Sequence, residues 1–227
     1  MSAPSETCWT VVRDAAAGDV RARGVFADTY LGVVRAFLAA RWRTTVHIAS
    51  LDDAVQEVFL DLLREGGALT RLAAGSGSGF RAFLFGVARN VALRHEQGAA
   101  RRRERTDPAG TEPDALPSDA PSMSVLFDRI WARRILQRAA ERMRALATTA
   151  GPEALRRVEL LRLRFQDGLP IREIARVWEA PQQRVHREYA RARDEFRHAL
   201  RAELAFHVHG NPGDVERECA ALLELLG

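Results

Sequence analysis

Gly168-Leu169-Pro170-Ile171-Arg172-Glu173-Ile174-Ala175-Arg176-Val177-Trp178, followed by Glu179-Ala180-Pro181 and then Gln182 to Arg197, reads as a helix-turn-helix. Gly168 suits the left-handed conformation that stops a preceding helix, and Pro170 and Pro181 each suit the first turn of a new one. In the second helix Val185, Tyr189, Ala192 and Phe196 recur at helical spacing and can turn to a core. That leaves Arg184, His186, Arg187, Glu188 and Arg191 facing outward. A helix that enters the major groove of DNA is divided in this way. An isolated basic amphipathic helix is more often a solvated face, but here the glycine stop, the tight turn and the apolar register act together.

At 227 residues the chain has room for two small helical domains. All 34 of its basic residues are arginine, with a formal net charge of +4. Arginine favours bidentate contacts with phosphates and base edges. Wholesale replacement of lysine fits a high-GC genome equally well, so no mechanism follows from it. Cys8 and Cys219 lie far apart with no paired spacing, which predicts neither a disulfide framework nor a structural zinc site and fits a reducing cytoplasm. His207, His209 and Cys219 lack a fourth ligand, and no metal is expected. The expected protein is soluble and cytoplasmic, because no apolar stretch reaches bilayer length and the N-terminus lacks the order of a signal peptide. No nucleophile-base pair or phosphate loop is present, so no enzyme, cofactor or small-molecule substrate is expected.

The composition changes near the middle. Residues 106–122 hold Pro108, Pro113, Pro117 and Pro121 with Asp107, Glu112, Asp114 and Asp119, and read as an extended acidic linker. Just before it lies Arg101-Arg102-Arg103-Glu104-Arg105, so the charge changes sign abruptly. The predicted organisation is an all-α protein with a helical domain over 1–105, the linker over 106–122, the helix-turn-helix domain over 123–201 and a C-terminal extension over 202–227. Asp128 to Arg201 carries 18 Arg against 10 acids, which concentrates basic charge on the helix-turn-helix domain. In the extension, Pro212-Gly213-Asp214 begins an amphipathic helix with Val215, Cys219, Leu222, Leu223 and Leu226 on one face. It is expected to cover the second domain; the sharper alternative is an acidic tail that shields the basic helix.

Within the first domain, Asp52 to Glu65 places Val55, Val58, Phe59, Leu62 and Leu63 on one stripe, with Ser50 as N-cap. The opposite side shows Asp53, Gln56, Glu57, Leu60 and Asp61, a face fit for a basic partner helix or simply a solvated one. A second helix over Phe80 to Ala100 carries Phe80, Phe83, Leu84, Val87, Ala88, Val91 and Ala92 as a wide apolar band. Arg81, Arg89, Asn90, Arg94 and His95 lie off that band. Its phenylalanines suit a core better than base stacking.

Together the two halves resemble a known family. Leu51-Asp52-Asp53-Ala54-Val55-Gln56-Glu57-Val58-Phe59-Leu60-Asp61-Leu62-Leu63, followed by Phe80-Arg81-Ala82-Phe83-Leu84-Phe85-Gly86-Val87-Ala88-Arg89-Asn90, is similar to region two of bacterial sigma factors of the extracytoplasmic-function class. Ala15-Ala16-Ala17-Gly18-Asp19 and the helix Phe26 to Arg41 resemble the start of that domain. Arg156 to Arg197 resembles region four. The resemblance implies a subunit that binds core RNA polymerase, directs it to promoter DNA and helps open the duplex, without catalysis of its own. It puts Asp53, Gln56, Glu57, Leu60 and Asp61 on the polymerase clamp, and Arg89, Asn90, Arg94, His95, Arg101, Arg102 and Arg103 at the minus-ten element. Gln182, Gln183, Arg184, His186, Arg187 and Arg191 fall at the minus-thirty-five element, the linker in the RNA channel. An anti-sigma protein is a further partner that the resemblance allows.

Several positions depart from the family pattern. Phe83 and Phe85 stand where Trp and Tyr are usual, Gly86 where a basic residue is common and Leu63 where Trp is frequent. Glu179 replaces the usual Gly of the turn, Arg184 a small hydroxyl residue and Glu188 a basic one. Glu188 needs an arginine partner near phosphate, and Arg184 is one turn away. The segment Ala147 to Pro152 is longer than the family's junction and predicts a looser loop. Two alternatives stay open: a conventional helix-turn-helix regulator that needs no polymerase, and a sigma-like decoy that occupies polymerase or an anti-sigma protein without initiating.

Overall fold

The computed structural model describes residues 8–73, 79–106, 120–207 and 212–224; the side chains of 102–106, 120–122, 212, 214, 221, 223 and 224 are not among those described. The protein is all-α, with no strand among the described residues. Of these residues, those up to Ala132, with His207, form one compact unit, and Arg133–Phe206 with 212–224 form the other.

The first unit contains α1 (Cys8–Ala16), α2 (Val20–Trp42), a 3-10 turn (Val46–Ser50), α3 (Leu51–Leu63), α4 (Ala68–Ala73), α5 (Phe80–Thr106) and the first turns of α6 (Ala120–Ala150). Gly18 turns the chain at φ 97°, and Asp19 then caps α2 by accepting a 2.7 Å hydrogen bond from the Ala22 N–H. Ser50 occupies the cap position of α3, but its side chain makes no cap hydrogen bond because the 3-10 turn runs straight into the helix. The stripe predicted for α3 faces the core: Val55, Val58 and Leu62 are buried, and Phe59 and Leu63 are half-buried at its margins.

On α5 the deep positions are Phe80, Leu84, Ala88, Val91 and Ala92. They meet a run of large residues on α2, with Phe26, Tyr30, Phe37, Leu38 and Trp42 all fully enclosed. Phe80 lies edge-on to Phe26 at 6.0 Å, and Phe85 lies edge-on to Phe37 at 6.0 Å and tilted against Phe127 at 5.4 Å. These rings fill a core, as α5's aromatic spacing predicts. One polar tie crosses it. Arg41 at the end of α2 holds Glu96 of α5 through two bonds of 2.6 and 2.8 Å, and the Trp42 indole N–H donates to the same carboxylate at 2.8 Å. With side chains 6% and 11% exposed, this pair is buried, and both oxygens of the carboxylate accept hydrogen bonds.

The second unit contains the rest of α6, then α7 (Pro152–Phe165), α8 (Ile171–Val177), α9 (Gln182–His207) and α10 (Pro212–Glu224). The loose loop expected at Ala147 to Pro152 is corrected: α6 continues through Ala150, and only Gly151, at φ 106°, separates it from α7. The Thr148 and Thr149 hydroxyls donate to the carbonyls of Arg144 and Leu146, and the Gly151 N–H donates to Ala147, so these residues close the helix end.

Leu160, Ile174, Ala175 and Val185 form the centre of the helix-turn-helix, with Leu163, Leu169, Trp178 and Tyr189 packed around them. A second cluster joins Met143, Ala192 and Ala199, with Phe196 at its edge. On α10, Cys219 and Leu222 are buried and Glu216 pairs with Arg201 of α9 at 2.5 Å. The extended linker expected over 106–122 is corrected at its ends, since Thr106 closes α5 and residues 120–122 open α6; residues 107–119 and Leu226 lie outside the described residues.

Candidate nucleic-acid and partner-binding faces

Gly168 adopts φ 69°, which lets the Leu169 N–H reach back to the Leu163 carbonyl at 3.0 Å and ends α7. The second turn is closed without glycine. Trp178 caps α8, Glu179 takes φ 49°, its N–H bonds the Arg176 carbonyl at 3.1 Å, and the Ala180 N–H bonds the Ala175 carbonyl at 2.9 Å. This is a Schellman motif with a glutamate in the left-handed position, a conformation that costs a non-glycine residue roughly 1 kcal/mol. Among the described residues Glu179 is the one non-glycine residue at positive φ.

α9 then presents the division read from its sequence. Val185 and Ala192 are buried, Tyr189 and Phe196 half-buried, and Gln182, Gln183, Arg184, His186, Arg187 and Arg191 all exposed. Gln182 and His186 lie 3.3 Å apart across one turn. No ion pair engages Arg184 or Arg187 among the described residues. Behind the turn, the Arg156 guanidinium stacks 4.5 Å above the Trp178 ring, a cation-π contact that spacing along one chain segment does not reveal.

Glu188 departs from expectation. It does not pair with Arg184; it lies 3.4 Å from Arg157 of α7 and 3.4 Å from Arg191. An arginine placed N-terminal to a glutamate at this spacing is the weaker orientation, and a cation arriving from another helix wins. Arg157 also holds Glu195 at 2.7 Å, and Glu195, first among its partners, raises the guanidinium above its usual pKa. The signal in the sequence is the seven-residue spacing of Glu188 and Glu195, which puts both carboxylates on one side of α9.

In the first unit, α3 exposes Asp53, Gln56 and Leu60, with Leu60 60% exposed. Glu57 and Asp61 are half-buried and already occupied. Arg94 of α5 donates to Glu57 at 3.0 and 2.8 Å and to Asp61 at 2.5 Å, while His95 lies 2.7 Å from Glu57. Desolvation pushes the Glu57 carboxyl up, but hydrogen bonds from Arg94 and His95 outweigh it and hold it below the ordinary range. The fold thus joins two residues expected on a polymerase face to two expected on DNA.

The other basic residues of α5 are placed differently. Asn90 and Arg101 are exposed, and Arg89 is half-buried with its Nε enclosed and without a hydrogen-bond partner among the described residues. The side chains of Arg102 and Arg103 lie outside the described residues.

No protein-family model matches the chain, and no curated protein matches it. Among the described residues no group of three His, Cys, Asp or Glu side chains is placed to hold a metal ion, and no helix is long and apolar enough to cross a membrane. His209 lies outside the described residues. Both cysteines are free and buried; burial pushes the Cys8 thiol up to about 12, against a smaller lowering by Tyr30. Neither is a poised nucleophile.

Proposed function

We propose that this chain is a promoter-specificity subunit of RNA polymerase, a sigma factor, which binds duplex DNA through α9 and a polymerase helix through the Asp53, Gln56 and Leu60 face of α3. The observation that carries the DNA half is the exposed row Gln182, Gln183, Arg184, His186, Arg187 and Arg191 on a helix whose opposite side is packed into a core. Amides and guanidiniums offer bidentate donors to adenine and guanine edges, and a row of them spans several base pairs. The polymerase half rests on the sequence resemblance and on an apolar Leu60 standing out of an acidic helix face, an arrangement suited to a basic amphipathic helix. The expected setting is the cytoplasm.

The engagement of Glu57 and Asp61 by Arg94 favours a second reading, a helix-turn-helix regulator that acts without polymerase, because it removes two charges from the α3 face. Run-off transcription with purified core polymerase, on a library of promoter fragments and with or without the protein, separates the two. Promoter-specific transcripts that need the protein support the sigma reading. Stable polymerase binding with no transcript leaves a decoy, and no polymerase binding leaves the regulator.

A further inference from the structure

A carboxylate on the DNA-facing side of a recognition helix is a liability, because phosphates surround the groove on both sides. Glu188 stands at the margin of that side, one turn after Arg184 and within a turn of Arg191, with its side chain 25% exposed. The chain nevertheless carries it, and the reason lies on another helix. Arg157 is 14% exposed on α7, and its fork reaches Glu188 with Nη1 and Glu195 with Nε and Nη2, two turns of α9 from one guanidinium.

We infer that Arg157 is a positioning residue for DNA binding: it neutralises Glu188, so that Arg184, Arg187 and Arg191 meet the groove without an opposing charge. This rests on the DNA-binding reading above. Arg157 is too enclosed to serve as a phosphate contact itself. Arg191 also lies 3.4 Å from Glu188, but it is a poor substitute, because a cation drawn to Glu188 is lost to the phosphates.

The consequence is a charge balance that can be read directly. Removing Arg157 releases both carboxylates, and Glu188, beside Arg184 and Arg191 on α9, is the one that opposes the phosphates, which at an intermediate effective dielectric weakens binding on the order of tenfold. With Arg157 gone, Glu188 draws Arg191 to itself, one fewer guanidinium neutralises phosphate, and the slope of log affinity against log salt becomes shallower by about 0.9. Replacing Glu188 by glutamine restores the balance without restoring any hydrogen bond to Arg157.

The test measures binding of the full-length chain to a fluorescein-labelled duplex of mixed sequence, about three helical turns long, between about 50 and 200 mM salt. R157M is expected to bind about tenfold more weakly, R157M/E188Q to recover most of that loss and the salt slope, and R157M/E195Q to recover little. E188Q alone is expected to change affinity less than about threefold, and R157K, which keeps the charge but not the fork, to lose less than R157M. Circular dichroism and melting accompany each variant. If R157M does not fold at the assay temperature, R157K and R157M/E188Q carry the comparison, and a tenfold loss in both overturns the inference. A loss in R157M that E188Q does not repair also overturns it, since a packing role is indifferent to that charge. A wild type that fails to bind the duplex at low salt removes the DNA-binding reading itself; wild-type binding with R157M unchanged removes only the role of Arg157.

Discussion

On α5, Arg94 and His95 are committed to Glu57 and Asp61 of α3, whereas on α9 Arg184 and Arg187 project with no ion pair among the described residues. Both sets stand off the apolar stripe of their helices, and both resemble DNA-binding positions. The first set is spent in holding two helices together; the second is held ready by ion pairs placed behind it, Arg157 with Glu195 and Glu188. A charge that points away from a core is therefore not yet a free charge, and the difference predicts which substitutions cost stability and which cost binding.

The largest effect belongs to the first unit. E96A leaves Arg41 buried without its carboxylate and the Trp42 indole without an acceptor, and is expected to cost about 3 kcal/mol or more in a denaturant or thermal unfolding experiment. In the second unit R187A is expected to leave stability within about 0.5 kcal/mol and to weaken DNA binding by roughly 1–3 kcal/mol, with discrimination relaxed at one base if the contact is to an edge. A variant that melts early but binds normally would reverse the comparison at that position.

How far the sequence was legible follows the same division. The apolar registers of α3, α5 and α9 were readable because a helical stripe repeats within a few turns, and the stop at Gly168 was readable because glycine alone adopts that backbone without cost. The pairing of Arg94 with Glu57, 37 residues apart, was not, since it depends on how two helices cross. The continuation of α6 through Thr148 and Thr149 was hidden by β-branched residues that disfavour helix in general but here bond their hydroxyls to the preceding turn. Arg157 carries no local signal, because the one-turn rule directs Glu188 to Arg184. Glu179 departs from the usual glycine in sequence, but only the bonds to Arg176 and Ala175 show that it bears the left-handed turn.

Two smaller effects sharpen the account. E179G removes the left-handed penalty and is expected to raise the stability of the helix-turn-helix unit by about 1 kcal/mol, less the entropy glycine adds to the unfolded chain. Its DNA affinity should stay unchanged if the turn already has the geometry glycine prefers. The last effect is on pH. Glu57 is held below its unfolded value of about 4.3, so its contribution is fully present above that pH and is lost as the pH falls through the lower folded value. E57Q should therefore flatten the acid limb of the stability curve below about pH 5. Because the Glu57 side chain is 37% exposed, the change should be only a few tenths of a kcal/mol.

Whether one chain brings two separate contacts to a promoter can be read from DNA selection out of a random duplex library, run with the chain alone and with the chain bound to core polymerase. The account predicts that the polymerase-bound chain recovers two sequence elements at a fixed separation, and that R187A relaxes only one of them. Recovery of a single element, equally well with and without polymerase, would contradict it and leave a helix-turn-helix regulator.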